Sequence, residues 1–205
     1  MKTNPPLPMG YSPLPAGKLA NVVTCLEMRE RPQVVVPSPG ALAFERWRAP
    51  ELDDYRKLFR DVGENWLWVS RLVMDDEKLG AIIHHPDVEI YVIRMEGRRI
   101  GLLELDFRIS GECELVFCGL VADAIGQGAG KLLITQAVAR AWDRPIERFW
   151  LHTCHFDHPS AMLFYRKAGF QPYAFLVEVI DDPRLSGHLP KTAAPHVPLL
   201  DAQIG

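Results

Sequence analysis

The chain has 205 residues, 48% of them apolar and 24% charged, with a formal net charge of −3, which is the composition of one globular domain large enough for a sizeable core. That balance, with no Lys/Arg-rich run and no basic-aromatic interleaving, makes no electrostatic case for nucleic acid, and no apolar run reaches the roughly 18 to 20 residues that a membrane span needs. The opening MKTNPPLPMG lacks the apolar region of a signal peptide, so a cytoplasmic location is expected, and Cys25, Cys113, Cys118 and Cys154, which have no paired spacing, read as free thiols.

Eight of the seventeen prolines fall before residue 40, so residues 1–40 read as a Pro-rich extension that holds one candidate strand, Ala20 to Met28. A domain over residues 41–180 follows, and then a tail, 181–205, with prolines at 183, 190, 195 and 198. Leu42 to Trp47 suits a strand. Leu52, Tyr55, Phe59 and Val62 share one face of a helix, with Pro50 suited to its first position and Gly63 to the residue just past its end. Asp75 and Asp76 open a second helix through Leu79, Ile82 and Ile83, stopped at Pro86. His84 and His85 near its end point about 100° apart, which makes a poor chelating pair. Trp47, Trp66 and Trp68 are candidates either for an aromatic pocket or for the core.

From Val88 to Val121 the pattern becomes an antiparallel meander: VEIYVIRM, a turn at Glu96-Gly97, RIGLLELDFRI, a turn at Ser110-Gly111, then ECELVFCGLV. If Ser110-Gly111 is a two-residue hairpin loop, Glu114 pairs with Phe107 and shares a face with Ile109, Leu105 and Val116. Apolar surroundings of that kind raise a carboxylate's pKa towards the range useful to a base. Glu104 and Asp106, on the other face, become the alternatives if the register slips by one.

The strand ending at Val121 runs into Gly126, Gly128 and Gly130 and then into a helix carrying Leu133, Ile134, Ala137, Val138 and Ala141 at helical spacing. Strand, glycine loop and helix N-terminus together present unpaired N–H groups and positive dipole to an anion. The loop reads GxGxG rather than GxGxxG, and Ile125 stands where a Walker A loop needs its first glycine, so neither nucleotide motif fits. A strand from Arg148 to Cys154, a helix from Pro159 to Ala168 capped by Gly169, and a strand around Tyr173 to Ile180 follow. In LHTCHFDHP, the residues His152, Cys154, His155, Asp157 and His158 lack the separated paired spacing of structural zinc sites, so no metal is expected. His158 reads instead as a helix-capping residue, with His152 and Cys154 alternating across a strand. Covalent catalysis through Cys118 is disfavoured, since nothing places a histidine beside it.

GLVADAIGQGAGKLL resembles the pyrophosphate loop Q/R-x-x-G-x-G/A, and HPSAMLFYRKAGF resembles the motif N-x-x-A-x-x-L/F-Y-x-K-x-G-F, both of the GNAT superfamily of acyl-CoA N-acyltransferases. The resemblance covers about residues 40 to 180. It implies a mixed α/β fold with a central, mostly antiparallel six- to seven-stranded sheet, helices on both faces, and a splay after the fourth strand that admits the pantetheine arm of acetyl-CoA. By the same resemblance, Gly126, Gln127, Gly128, Ala129 and Gly130 offer backbone N–H groups to the pyrophosphate. Leu120 and Val121 bond the pantetheine through their main chain, Lys131 adds charge, and His158 lies beside CoA. Ile125 and His158 depart from the usual Gln or Arg and the usual Asn.

The activity implied is direct transfer of an acetyl group from acetyl-CoA to a primary amine of a small molecule, with Tyr165 as general acid near the CoA sulfur. Glu114 is the candidate base, because ELVFCGL also resembles the strand that carries the catalytic Glu in the histone-acetylating branch. The acceptor is expected between the two N-terminal helices and the C-terminal segment. A CoA-binding sensor without turnover and a protein or peptide acceptor remain as alternatives. Antiparallel strands near the C-terminus offer an edge for a homodimer.

Overall fold

The structure is a computed structural model that describes residues 4–33, 36–37 and 40–200. Its strands are β1 Lys18–Met28, β2 Leu42–Arg46, β3 Val88–Met95, β4 Arg98–Asp106, β5 Glu112–Leu120, β6 Arg148–Cys154 and β7 Gln171–Asp181. Its helices are α1 Leu52–Gly63, α2 Asp76–Ile83, α3 Ala129–Ala141 and α4 Ala161–Lys167. The strands form one open sheet in the order β2-β3-β4-β5-β6-β1-β7, with β5 and β6 its parallel pair. Among the described residues no helix is long and apolar enough to cross a membrane.

The candidate strand in the Pro-rich segment is an interior strand. Residues 18–28 contain no proline, so both edges can enter a ladder, and β1 bonds β6 on one side and β7 on the other. The first strand of the chain thus completes the sheet between the last two.

Helix α1 buries Tyr55, Leu58, Phe59 and Val62 against β4 and β5, the amphipathic stripe its spacing predicts. Its ends differ from expectation. Glu51 is the N-cap, so Pro50 lies before the helix, and Gly63 is the last helical residue, followed by a 3-10 turn over Glu64–Trp66. Packing is what requires glycine there: a Cβ on Gly63 would meet Trp68 Cβ at 2.4 Å. Helix α2 starts as expected, with Asp75 Oδ1 accepting from the Lys78 N–H at 2.8 Å. Beyond it His84 Nε2 meets Pro50 O at 2.9 Å and His85 Nδ1 accepts from the Asp87 N–H, so each ring has a local structural partner.

The turn at Glu96-Gly97, with φ of 50° and 81°, is the left-handed pair that a two-residue hairpin needs. The next connection departs from expectation. Phe107 leaves the ladder, giving its N–H to Asp87 O and its ring to the Arg144 guanidinium 4.2 Å above. Glu114 therefore pairs with Asp106 rather than Phe107, and a bulge sets Glu104 opposite Phe117 and Leu105 opposite Leu115. Glu114 shares its face with Asp106 and Glu104, not with Ile109, Leu105 and Val116.

Glu104 is fully buried, accepting from the Tyr55 hydroxyl of α1 and, at 2.6 Å, from Arg71 Nη2. A buried charge is tolerated only when paired and hydrogen-bonded. Here the pairing also fastens the segment after α1, residues 67–74, onto the sheet. The chain after β7 folds back as a second small core in which Leu189, Ala193, Ala194 and Val197 pack with Leu19, Leu67 and Phe156. Arg184 holds it together, donating to Asp182 and to the carbonyls of Ala193, Val197 and Pro198. Residues 182–200 thus form a packed wall against the rest of the fold.

Candidate active site

Strands β5 and β6 pair at Glu112↔Arg148, Cys113↔Phe149 and Glu114↔Trp150, then diverge. The divergence follows from their other neighbours, since β5 continues along β4 to Leu120 while β6 is drawn along β1. A cavity of about 650 Å³ occupies the opening. Leu120, Gly126, Gly128, Gly130, Lys131, Phe164 and Tyr165 line it at the β5 end, Asn21 and Glu178 line it from β1 and β7 on the far side of β6, and Trp66, Trp68 and His152 line it as well.

The first end is the anion cradle. Gly126 and Gly128 have φ of 85° and 84°, a conformation that costs a side-chain-bearing residue strain, and Gly128 is the N-cap of α3. The N–H groups of Ala129 and Gly130, in the first turn, have no preceding helical carbonyl to bond. Gln127 turns away, its Nε2 donating to Asp123 O at 2.7 Å, which braces the loop from behind. Ile125, 39% exposed, presents an apolar side chain at the mouth.

Leu120 lines the cleft, whereas Val121 is buried, gives its N–H to Ile100 O at 2.9 Å and does not reach the opening. Main-chain groups alternate in direction along a strand, so Leu120 and Cys118 are the residues that turn theirs towards the slot. His158 lines the cleft near the start of α4, its Nδ1 accepting from the N–H of Ser160, the N-cap of α4, and 2.7 Å from that residue's hydroxyl.

Tyr165 projects from α4 into the cleft, its ring packed edge-on against Phe164 and Phe170. Among the described residues its hydroxyl has no hydrogen-bond partner. Burial, reinforced by Cys118 and Asp157, raises its pKa well above the ordinary phenol value, so it keeps its proton at neutral pH. Burial also pushes the Cys118 thiol up to about 12, the opposite of what a nucleophile needs.

Glu114 does not line the main cleft. It lines an adjoining cavity of about 220 Å³ with Asp106, Arg108, Glu112 and Trp150. Burial, with the Asp106 carboxylate beside it, raises its pKa to about 7. The link to the cleft is His152, which the sequence did not single out for a role: its Nδ1 lies 3.8 Å from Glu114 Oε1 and its ring lines the cleft. His152 and Cys154, two apart on β6, both face the opening. Their spacing in a strand was the available signal. Asp157 is structural, accepting from Trp68 Nε1, the Thr153 hydroxyl and the Cys154 N–H. Among the described residues no group of three or more His, Cys, Asp or Glu is placed to hold a metal ion. Trp66 and Trp68 line the cleft, while Trp47 packs against the core beneath the Arg99 guanidinium.

A seven-stranded, mostly antiparallel sheet that splits beside a glycine-formed helix N-terminus, with helices packed on it, defines a mixed α/β fold. The chain belongs to the acetyltransferase (GNAT) family, whose model matches residues 44–170. Solved structures with the same fold include a GCN5-related N-acetyltransferase from Kribbella flavida, at 20% identity and TM-score 0.54, covering 83% of this chain and 63% of that one. A GNAT-family protein from Novosphingobium aromaticivorans DSM 12444 matches at 16% identity and TM-score 0.57, covering 84% and 69%. A third, a GCN5-related N-acetyltransferase from Sphaerobacter thermophilus, matches at 15% identity and TM-score 0.55, covering 79% of this chain and 52% of that one. No curated protein matches the sequence.

Proposed function

We propose that the protein transfers an acetyl group from acetyl-CoA directly to a primary amine of a small molecule. The observation that carries this reading is the single cleft lined by the glycine cradle, by Tyr165, whose hydroxyl has no partner among the described residues, and by the aromatic and polar groups of Trp66, Trp68, His152 and Asn21. The pyrophosphate is held by the N–H groups from Gly126 to Gly130, with Lys131 beside them, and the pantetheine arm lies along Leu120.

The amine nitrogen attacks the thioester carbon, the C–S bond breaks, and Tyr165 gives its proton to the departing thiolate. The amine's own proton passes to His152 and on to Glu114, whose pKa of about 7 suits it to hold a proton at neutral pH and release it to solvent. No covalent enzyme intermediate is needed. Mixing the purified chain with acetyl-CoA and a panel of primary amines is expected to release free thiol in proportion to acetylated product. Tight CoA binding with no turnover of any amine or peptide would favour a sensor instead, and Ile125 at the mouth is the feature that supports that alternative.

A homodimer through β7 is part of the same reading. β7 is an edge strand, and Phe175, Val177 and Val179 on one of its faces are 71%, 49% and 53% exposed. Antiparallel pairing with a second β7 would satisfy the free edge and cover the apolar row. Light scattering is expected to give twice the chain mass of 23.2 kDa; a monomer at micromolar concentration would end this part of the proposal.

A further inference from the structure

The cleft is lined from different parts of the chain. The cradle and Tyr165 lie within residues 44–170, matched by the family model, whereas Asn21 and Val23 of β1 and Glu178 and Ile180 of β7 lie outside it and line the far end. This end is therefore built in part by the first and last strands of the chain, which the family model does not match.

Glu178 is a carboxylate in an open cavity with no Lys or Arg paired to it among the described residues. Its side-chain partner is neutral: Asn21 Nδ2 donates to Glu178 Oε2 at 3.1 Å. That bond fixes the amide's orientation and leaves Asn21 Oδ1, in a residue only 4% exposed, without a donor. Two acceptors, one of them charged, thus share a corner that supplies no cation. His152 and Cys154 of β6 also line the cavity, as does a second carboxylate, Asp157, which is taken up by Trp68 Nε1, the Thr153 hydroxyl and the Cys154 N–H. Burial, then the Asp157 charge and more weakly that of Glu178, raises the Cys154 thiol, and Lys131 lines the cavity beside the cradle.

We infer that the acceptor carries a second cationic amine, held by Glu178 and Asn21 while the amine to be acetylated lies at the split between β5 and β6. This rests on the acetyltransferase reading above. The separation follows from the sheet: β7 lies two strands from β6, roughly 10 Å at the usual spacing. A linear diamine long enough to span that distance is the simplest molecule that meets both ends.

The test compares α,ω-diamines of increasing length with n-alkylamines of matched length, following thiol release from acetyl-CoA. The diamine-to-alkylamine ratio of kcat/KM is expected to rise to about tenfold or more above a threshold length, and to fall to near one in Glu178→Gln. Gln can still accept from Asn21 Nδ2, so the variant is expected to fold. A ratio near one at every length in the wild type, or a ratio that survives Glu178→Gln, overturns the inference. Should no amine be turned over, calorimetry of the longest diamine with the CoA-bound protein decides: binding that is lost in Glu178→Gln supports the subsite, and absence of binding overturns it.

Discussion

Tyr165→Phe is expected to lower kcat by about 100-fold or more while CoA affinity, read by calorimetry, and thermal stability stay near wild type. The size follows from the usual contribution of a positioned proton donor. The selectivity follows from the structure. The ring that packs on Phe164 and Phe170 is kept in the variant, and the hydroxyl that is lost makes no hydrogen bond within the described protein, so no buried partner is stranded. A structural tyrosine would behave in the opposite way, losing stability before rate. Undiminished turnover would remove Tyr165 from the mechanism.

Glu114→Gln is expected to move activity and stability in opposite directions. Activity should fall by about 100-fold as the final proton acceptor disappears. Stability has a sign that can be worked out, because burial raises this carboxylate from an ordinary 4.5 to about 7. Below pH 4.5 the group is protonated in both states and contributes no difference. Between 4.5 and 7 the folded form holds a proton that the unfolded form has released, so wild-type stability falls as pH rises, and above 7 the loss is complete. Glutamine carries no charge to bury, so at pH 8 the variant should be more stable by about 3 kcal/mol, with the gap closing below pH 5. Urea titrations at pH 5 and pH 8 measure it, and a variant less stable at pH 8 would show that the Glu114 charge is well compensated. In kcat/KM the wild type should gain activity as pH rises through about 7, a limb that the variant lacks.

The cradle and the tyrosine were legible in the sequence because both depend on local rules. Gly126 and Gly128 stand at left-handed positions that the chain order of strand, loop and helix already demands, and Tyr165 belongs to a helix whose spacing is visible at once. The strand in the Pro-rich segment was legible as a strand but not as an interior one, because hydrogen-bond partners 120 to 160 residues away leave no mark on a ten-residue pattern. The face of Glu114 was misassigned for a related reason. The register of β4 against β5 depends on Phe107 leaving the ladder for Asp87 and Arg144, and on one bulged residue, each of which shifts every later pairing.

By itself, then, the sequence determined the elements, their order, the glycine-built cradle and the family that such a pairing of motifs resembles, since these follow from backbone conformational preference and short-range periodicity. Tertiary structure alone decided which carboxylates meet. Glu104 is paired away into the core with Tyr55 and Arg71, Glu114 reaches the cleft through His152, and Glu178 is brought beside Asn21 by the pairing of the first strand with the last. Charge, burial and proton affinity are set by neighbours in space, and those neighbours lie on strands far apart along the chain.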